Sequence, residues 1–422
     1  MINSLRLQHF KNFDDAMLPL GPLTVIVGTN ASGKSNLRDA FRFVHGLSRE
    51  YSLADIVGEK FVDGTLQWRG IRGGSREIVE FGQSSFGLET ALPWQAKGQL
   101  IPQKYVHRIR VETGQGIRPL RVVQESLYRG NDLVYDSHPA SDVPAQEGPQ
   151  YLLVRLKQVG DQRRRGSTIR FLSDQAVLSQ FPAHDDVPSE LRPYAKRALN
   201  QLRSMRFLDL SPEAMKLPSV PGQTLGDRGE NLSSALQAIC EDESRKRAAV
   251  EWVRQLTPLD VVDFEFVPDQ TGRILVTLLE SNGQKTSAYS ASDGTLRFLA
   301  MLAALMGSDA AQFHFLEEID NGVHPSRLYL LLQLIEQQAR QRNLQIVTTT
   351  HSPQLLAMLS PEAREHAFLT YRFPDEATAH LVRILDIPTA REVLERQNLS
   401  RLHASGWFED MVAFTRPEEA DA

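Results

Sequence analysis

At 422 residues, with 41% hydrophobic and 23% charged side chains, the chain has the composition of a globular protein of about two or three domain-sized units. No apolar run approaches the roughly 20 residues of a membrane span, Met1–Leu7 carries no apolar leader core, and a net charge of −5 does not advertise nucleic-acid binding. The single Cys240 cannot form an internal disulfide, so a reducing cytoplasm is the expected compartment and no membrane association is expected.

In chain order, Leu5–Phe13 alternates like one strand and Leu23–Val27 reads as a buried one. A helix is predicted over Ser35–Leu47, then a Gly-Arg turn at Gly70–Gly74 and a strand over Glu77–Phe81. Strand-like alternation dominates from Leu100 to Asp174, with runs at Tyr105–Val111, Leu120–Tyr128, Tyr151–Val159 and Ser167–Phe171, and reads as an antiparallel sheet elaborating the first domain. Ser189–Met205 is helix-like, Pro212–Gly229 is predicted as loop, and Glu230–Leu256 as a helix pair or one bent helix. A hairpin (Phe264–Val267 with Ile274–Leu279) precedes an apolar helix (Gly294–Met306), a short strand (Phe313–Leu316), a helix (Ser326–Arg342), a buried strand (Leu344–Thr349) and a helix start at Pro353. Alternating helices and apolar strands imply a covered, largely parallel sheet. The expected organisation is 1–90, a β-rich and helical insertion at 91–205, a second domain half at 206–360, and an extension at 361–422.

The chemistry starts at Gly28-Thr29-Asn30-Ala31-Ser32-Gly33-Lys34-Ser35, which follows an apolar strand and opens a helix. Strand, glycine loop and helix start together aim backbone N–H groups at one point, the arrangement of a phosphate-binding loop. Gly28, Asn30, Ser32, Gly33, Lys34, Ser35 and Asn36 are therefore candidate nucleotide contacts. Lys34 would reach the β- and γ-phosphates and the Ser35 hydroxyl would ligate Mg²⁺. Phe313–Leu316 ends in Glu317-Glu318. Glu317 would hold the metal shell and Glu318 would polarise the attacking water, unless the two are an ordinary solvated acidic pair. Leu344–Thr350 ends in His351, where ligands bind in open α/β sheets, so His351 is a candidate γ-phosphate sensor or a structural histidine. Ser292-Asp293-Gly294-Thr295 opens an apolar helix, which makes Ser292 and Gly294 either a second phosphate device, donated by a twin subunit, or a plain N-cap. Arg163-Arg164-Arg165 lies between two alternating runs and reads as a basic hairpin tip, either a DNA contact or a solvated loop.

Together these residues resemble the ABC-type ATPases of the SMC/RecF/OLD branch, over residues 1–90 and 206–360. Gly28–Ser35, Ser292–Thr295, Phe313–Glu318, Ile319–Pro325 and His351 match that family's phosphate loop, signature turn, Walker B strand, D-loop and switch histidine. Leu5–Phe13 is similar to its "FKNF" opening, and the segment near Ile78–Phe81 makes Gln83 a candidate for its Q-loop. Glu317 stands where transporter ATPases carry Asp, and Asp293-Gly294-Thr295 where they carry Gly-Gly-Gln. In both respects the chain resembles the bacterial single-chain "predicted AAA-family ATPases" found in anti-phage defence systems. Gly226–Leu232 also resembles a glycine–asparagine motif of that group. Ile319 replaces their usual proline.

The resemblance implies an α/β fold: an ABC-type ATPase head with a mostly parallel covered sheet, an antiparallel β subdomain and a helical/β insertion. It implies ATP and Mg²⁺ as cofactors, catalysis by Lys34, Glu318 and His351, and a homodimer or higher even-numbered assembly formed on ATP. A separate effector protein, such as a nuclease, is the implied partner in defence or genome maintenance. No fused Toprim nuclease is expected, and one cysteine excludes a zinc hook. Two competing readings stay open: the ATPase of a membrane transporter, and a nucleotide-gated scaffold with little hydrolysis.

Overall fold

The computed structural model describes residues 1–94, 103–114, 120–137, 150–157, 168–307, 311–321, 323–352, 354–373 and 376–387. The chain opens with β1 (Ser4–Phe10), β2 (Phe13–Pro19), β3 (Leu23–Val27), α1 (Lys34–Ser48), α2 (Leu53–Val57), β4 (Lys60–Val62) and β5 (Thr65–Trp68). There follow β6 (Ser85–Trp94), β7 (Gln103–Glu112), β8 (Arg121–Arg129), β9 (Asp132–Asp136), β10 (Tyr151–Leu156), β11 (Thr168–Leu172), α3 (Val177–Gln180), α4 (Arg192–Arg203) and β12 (Met205–Leu208). Next come α5 (Pro212–Met215), α6 (Leu232–Cys240), α7 (Glu243–Leu256), β13 (Val261–Pro268), β14 (Ile274–Glu280), β15 (Lys285–Ser287) and α8 (Asp293–Met306). The last elements are β16 (Phe313–Leu316), α9 (Pro325–Gln341), β17 (Gln345–Thr350), α10 (Gln354–Met358), α11 (Pro361–Arg364), β18 (Ala367–Tyr371) and β19 (His380–Arg383).

These elements form two compact units. One comprises Met1–Leu20, Thr29–Met205 and Leu369–Val382; the other comprises Gly21–Gly28, Arg206–Phe368 and the described residues from Arg383 on. The first is built on an eight-stranded antiparallel sheet in the order β11, β10, β9, β8, β7, β6, β1, β2. Its strands read as the sequence predicts for a sheet with one buried face. In β11 the burial of Thr168–Leu172 alternates strictly, with Ile169 and Phe171 inside. Phe10, Phe43 and Phe86 pack edge to face, bringing α1 onto β1 and β6.

The second unit is centred on buried strands. β16 runs parallel to β17 and β17 parallel to β3, with Leu316 opposite Thr348 and Thr350 opposite Val27. Every residue of β3, β16 and β17 is buried, which a strand covered on both faces requires. Ten of the fourteen residues of α8 are buried, so this helix lies inside the unit rather than on its surface. β13, β14 and β15 form a separate antiparallel sheet.

Three expectations are corrected. Leu5–Phe13 is not one strand: the chain reverses at Lys11-Asn12 and pairs Phe10 with Phe13. His9 and Lys11, with φ of 50° and 56°, make that reversal possible. Glu77–Phe81 is not a strand beyond one bridge from Val79 to Phe10. Turns on either side, at Gly73, Gly74 and Gly82, leave it no room to pair further, and Phe81 is 99% exposed. Within Pro212–Gly229, Pro212–Met215 is a helical turn, started by a proline at its first position. Of the two possibilities for Glu230–Leu256, the helix pair is observed, broken where Asp242 caps α7 by accepting from the Ser244 and Arg245 amides. Arg163, Arg164 and Arg165 lie outside the described residues.

Candidate functional site

Three parallel neighbours, β16, β17 and β3, end on the same edge of the sheet. The register that pairs Leu316 with Thr348 and Thr350 with Val27 carries Glu317 and Glu318, His351, and Gly28 just past those ends. The carboxyl edge of an open parallel sheet is where ligands bind, because loops splay apart there while buried strands hold their roots.

Gly28 leads into the loop Thr29–Gly33 and helix α1. Gly33 adopts φ of 111°, and a Cβ there would stand 2.8 Å from the Phe13 ring, so only glycine fits. The N-terminus of α1 receives no side-chain cap and has no acidic residue in its first turn. Its positive dipole end is therefore left for an anion. Ser32 is buried with its hydroxyl unpartnered. The Lys34 ammonium folds back onto the Thr29 carbonyl at 2.7 Å. Ser35 and Asn36 are half-buried, while Thr29 and Asn30 are exposed.

The loop has a foundation that sequence reading did not identify. The Asn36 amide donates to Asn12 Oδ1 at 2.7 Å, and Lys11 pairs with the buried Asp39 at 2.8 Å. Arg72 adds a second cation on Asp39 at 3.1 Å. The Lys11-Asn12 turn, legible only as part of a strand-like run, thus clamps the first turns of α1. A buried carboxylate needs such cations, since an unpaired one costs several kcal/mol, on the order of 3–5.

At the neighbouring strand ends, Glu318 takes φ of 49°. Its amide donates to the Thr349 hydroxyl at 3.1 Å, and its Oε1 lies 3.0 Å from His351 Nε2. Both side chains stay partly exposed, at 44% and 37%. Adjacent Glu317 is half-buried. Thr348 donates to the Leu316 carbonyl, and Thr350 accepts from the Ser352 amide, so the buried threonine run of β17 satisfies its own hydroxyls while fixing both strand ends. Asp320, also unforeseen, is half-buried behind this pair with Oδ1 unpartnered, and burial raises its carboxyl above the ordinary value.

Ser292 caps α8: its hydroxyl accepts from the Thr295 amide at 3.2 Å. That is N-cap geometry, and Gly294 lies in the first turn behind it. The turn lines a cavity of about 350 Å³ with Phe298, His324 and Arg327. Gln83 lies in an exposed loop, its amide donating to the Glu80 carbonyl at 3.0 Å. In the D-loop segment Gly322 lies outside the described residues.

The Ser35 hydroxyl and the Glu317 carboxylate are each hard oxygen donors, of the kind that suits Mg²⁺. An uncapped helix start behind a glycine loop, with acids and a histidine on adjacent parallel strand ends, is the make-up of an ABC-type ATPase head of the SMC/RecF kind. The comparisons agree. Residues 23–93 and 162–357, more than half of the chain, match the family described as "AAA domain, putative AbiEii toxin, Type IV TA system", and the chain belongs to that family. An "ATP/GTP phosphatase" of Helicobacter pylori (strain ATCC 700392 / 26695) is 22% identical over 375 residues, covering 87% of this chain and 90% of that protein. The "Chromosome partition protein Smc" of Desulfitobacterium hafniense (strain Y51) is 38% identical over 273 residues, 59% of this chain but only 22% of that much longer protein. Among solved structures, an SMC head bound to the C-terminal winged-helix domain of ScpA covers 90% of this chain and 96% of its own, with a TM-score of 0.50 at 14% identity, a likeness of fold. The protein is an ATPase. Among the described residues, no helix is long and apolar enough to cross a membrane.

Proposed function

We propose that this chain is an ATP-gated subunit: two copies join around ATP, and hydrolysis parts them. The reading rests on one observation, the contact of Glu318 with His351 at the ends of strands that neighbour the root of the phosphate loop. In the proposed reaction, Gly28, Asn30, Ser32, Gly33 and Asn36 surround the phosphates with the loop and the α1 N-terminus. Lys34 releases the Thr29 carbonyl to neutralise the β- and γ-phosphates. Ser35 and Glu317 would hold Mg²⁺, which supplies charge neutralisation on the phosphate oxygens.

Glu318 orients a water and accepts its proton as the water oxygen bonds to Pγ. The bond from Pγ to the β–γ bridging oxygen breaks, and ADP leaves with that electron pair. His351, at hydrogen-bond distance from Glu318, keeps the carboxylate aimed and reports the γ-phosphate. Ser292 and Gly294 of the twin complete the γ-phosphate site. The Ser292 hydroxyl is committed to its own helix, so the twin's contribution in this scheme comes from the α8 N-terminus and the small side of Gly294.

A chain of this size with such a gate needs something to move. The SMC head in the similar solved structure is bound to a winged-helix domain, which supports a protein partner here. We infer a separate effector, with anti-phage defence or genome maintenance as the setting. The test is Glu318→Gln. Its expected behaviour is normal ATP affinity, turnover reduced by about 10²- to 10⁴-fold, the range for losing a general base, and accumulation as an ATP-dependent dimer in light scattering. Turnover equal to the parent protein removes Glu318 from the role of base, and a monomer at saturating ATP removes the gate.

A further inference from the structure

In the first unit, three side chains from separate segments converge without any part in the nucleotide chemistry above. His9 Nδ1 lies 2.9 Å from Asp14 Oδ1 and 2.9 Å from Glu80 Oε2. The three ligand atoms all fall within 4.8 Å of one another. One imidazole N–H points along one line and cannot serve two carboxylate oxygens well. The arrangement also holds two carboxylates together, which costs free energy unless a cation joins them.

The spacing admits a metal ion as that cation. Ligands about 2.1 Å from an octahedral ion and at right angles to each other lie about 3 Å apart, whereas tetrahedral ligands at that radius lie about 3.4 Å apart. Both observed nitrogen–oxygen separations match the octahedral edge, a length they share with an imidazole–carboxylate hydrogen bond. One imidazole with two carboxylates suits a first-row divalent ion of the Mn²⁺ kind.

The surroundings are shaped for the same purpose. Leu5 and Leu7 alternate inward along β1, but at His9 the pattern slips by one and Phe10 is buried instead. The left-handed φ of His9 causes the slip and turns its ring away from the core, toward Asp14 on the returning strand. The pairs Gln8 with Asp15 and Phe10 with Phe13 bracket these two residues. Glu80 is held from both ends: its amide donates to the His9 carbonyl at 2.9 Å, and its other oxygen, Oε1, accepts from the Thr378 hydroxyl at 3.2 Å. An oriented ligand of this kind is characteristic of metal sites. Glu80 is only 15% exposed and His9 30%, while Asp14 is 62% exposed, which leaves an open side for water.

We propose that His9, Asp14 and Glu80 form a divalent-cation site, of Mn²⁺ type, that staples the Lys11-Asn12 turn to the segment before Gln83. Because Asn12 and Lys11 grip α1, the ion would stiffen the support of the phosphate loop. The experiment uses the full chain, nucleotide-free, carrying Lys34→Ala so that no nucleotide-bound metal contributes. Titration with MnCl₂ is expected to give one ion per chain, with nitrogen coupling from one imidazole in the electron spin-echo spectrum. His9→Gln and Glu80→Gln are expected to weaken binding by more than tenfold, and Thr378→Val by about tenfold. No Mn²⁺ binding, no nitrogen coupling, or equal affinity in all variants overturns the proposal. The nitrogen coupling is read on unaltered ligands, so the outcome stands even if a variant misfolds.

Discussion

Lys34 carries two jobs in sequence in the proposed reaction. Before nucleotide arrives, its ammonium is satisfied by the Thr29 carbonyl, and the side chain is 6% exposed. A phosphate bound as proposed would therefore replace an existing partner rather than fill a void. Losing a hydrogen bond made by a charged group costs about 2 kcal/mol, too little to unfold the chain. Lys34→Ala is expected to keep the parent's melting temperature within a few degrees and to show no ATP binding by calorimetry; retained affinity removes Lys34 from the site. Glu318 is the opposite case. A left-handed φ of 49° on a non-glycine residue is strained, and it persists because the Thr349 hydroxyl holds its amide and His351 meets its carboxylate. The residue types of this proposed site stand out in the sequence because phosphate chemistry demands glycine, lysine and acid in a fixed order. Asp320 was not legible, since its burial comes from the fold of the turn after β16 and from no local pattern.

α1 is fixed at both ends, and its far end gives a pH handle. His45 is buried, and its Nδ1 lies 2.9 Å from the Leu202 carbonyl on α4, to which it donates. Arg49 Nε stands 3.3 Å from the other ring nitrogen, which accepts from it, so the ring sits there neutral. Burial first, and then the neighbouring cations Arg49 and Arg42, push its pKa down from 6.5 to about 4. The unfolded chain takes up a proton in that window and the folded chain does not. Stability is complete above about pH 6.5 and falls as pH drops toward 4, by about 3 kcal/mol in total. Urea unfolding across this range should show the slope, and His45→Gln should flatten it; an unchanged slope assigns it to other groups. Elements with a long apolar period, such as α8 and β17, could be read from sequence alone. The hairpin of β1 and β2 could not, because Leu5–Phe13 alternates convincingly while the reversal rests on two non-glycine left-handed residues, His9 and Lys11, that no composition rule marks. β6 and β9 also escaped notice. In β6, Phe86, Gly87 and Leu88 are buried in succession, so alternation is blurred. β9, at Asp132–Asp136, begins directly after a tight turn and is only five residues long.

At the scale of the whole chain, neither unit is a continuous segment. The first takes its last piece from Leu369–Val382, and the second takes β3 from near the start. β3 lies between β17 and β18 in its sheet, so the centre of the second unit is a strand made some 320 residues before its neighbours. Contacts this distant in sequence must form against the loop entropy of the whole intervening chain. Cutting between residues 205 and 206 is expected to yield two fragments that are each protease-sensitive alone; a protease-resistant, monodisperse 1–205 fragment would contradict the shared architecture. During synthesis, the same threading postpones completion of the sheet that anchors the phosphate loop until β18 has left the ribosome. Incomplete translation products would thus lack a finished seat for that loop and, under the proposed gate, could not join a full-length copy around nucleotide and poison the pair.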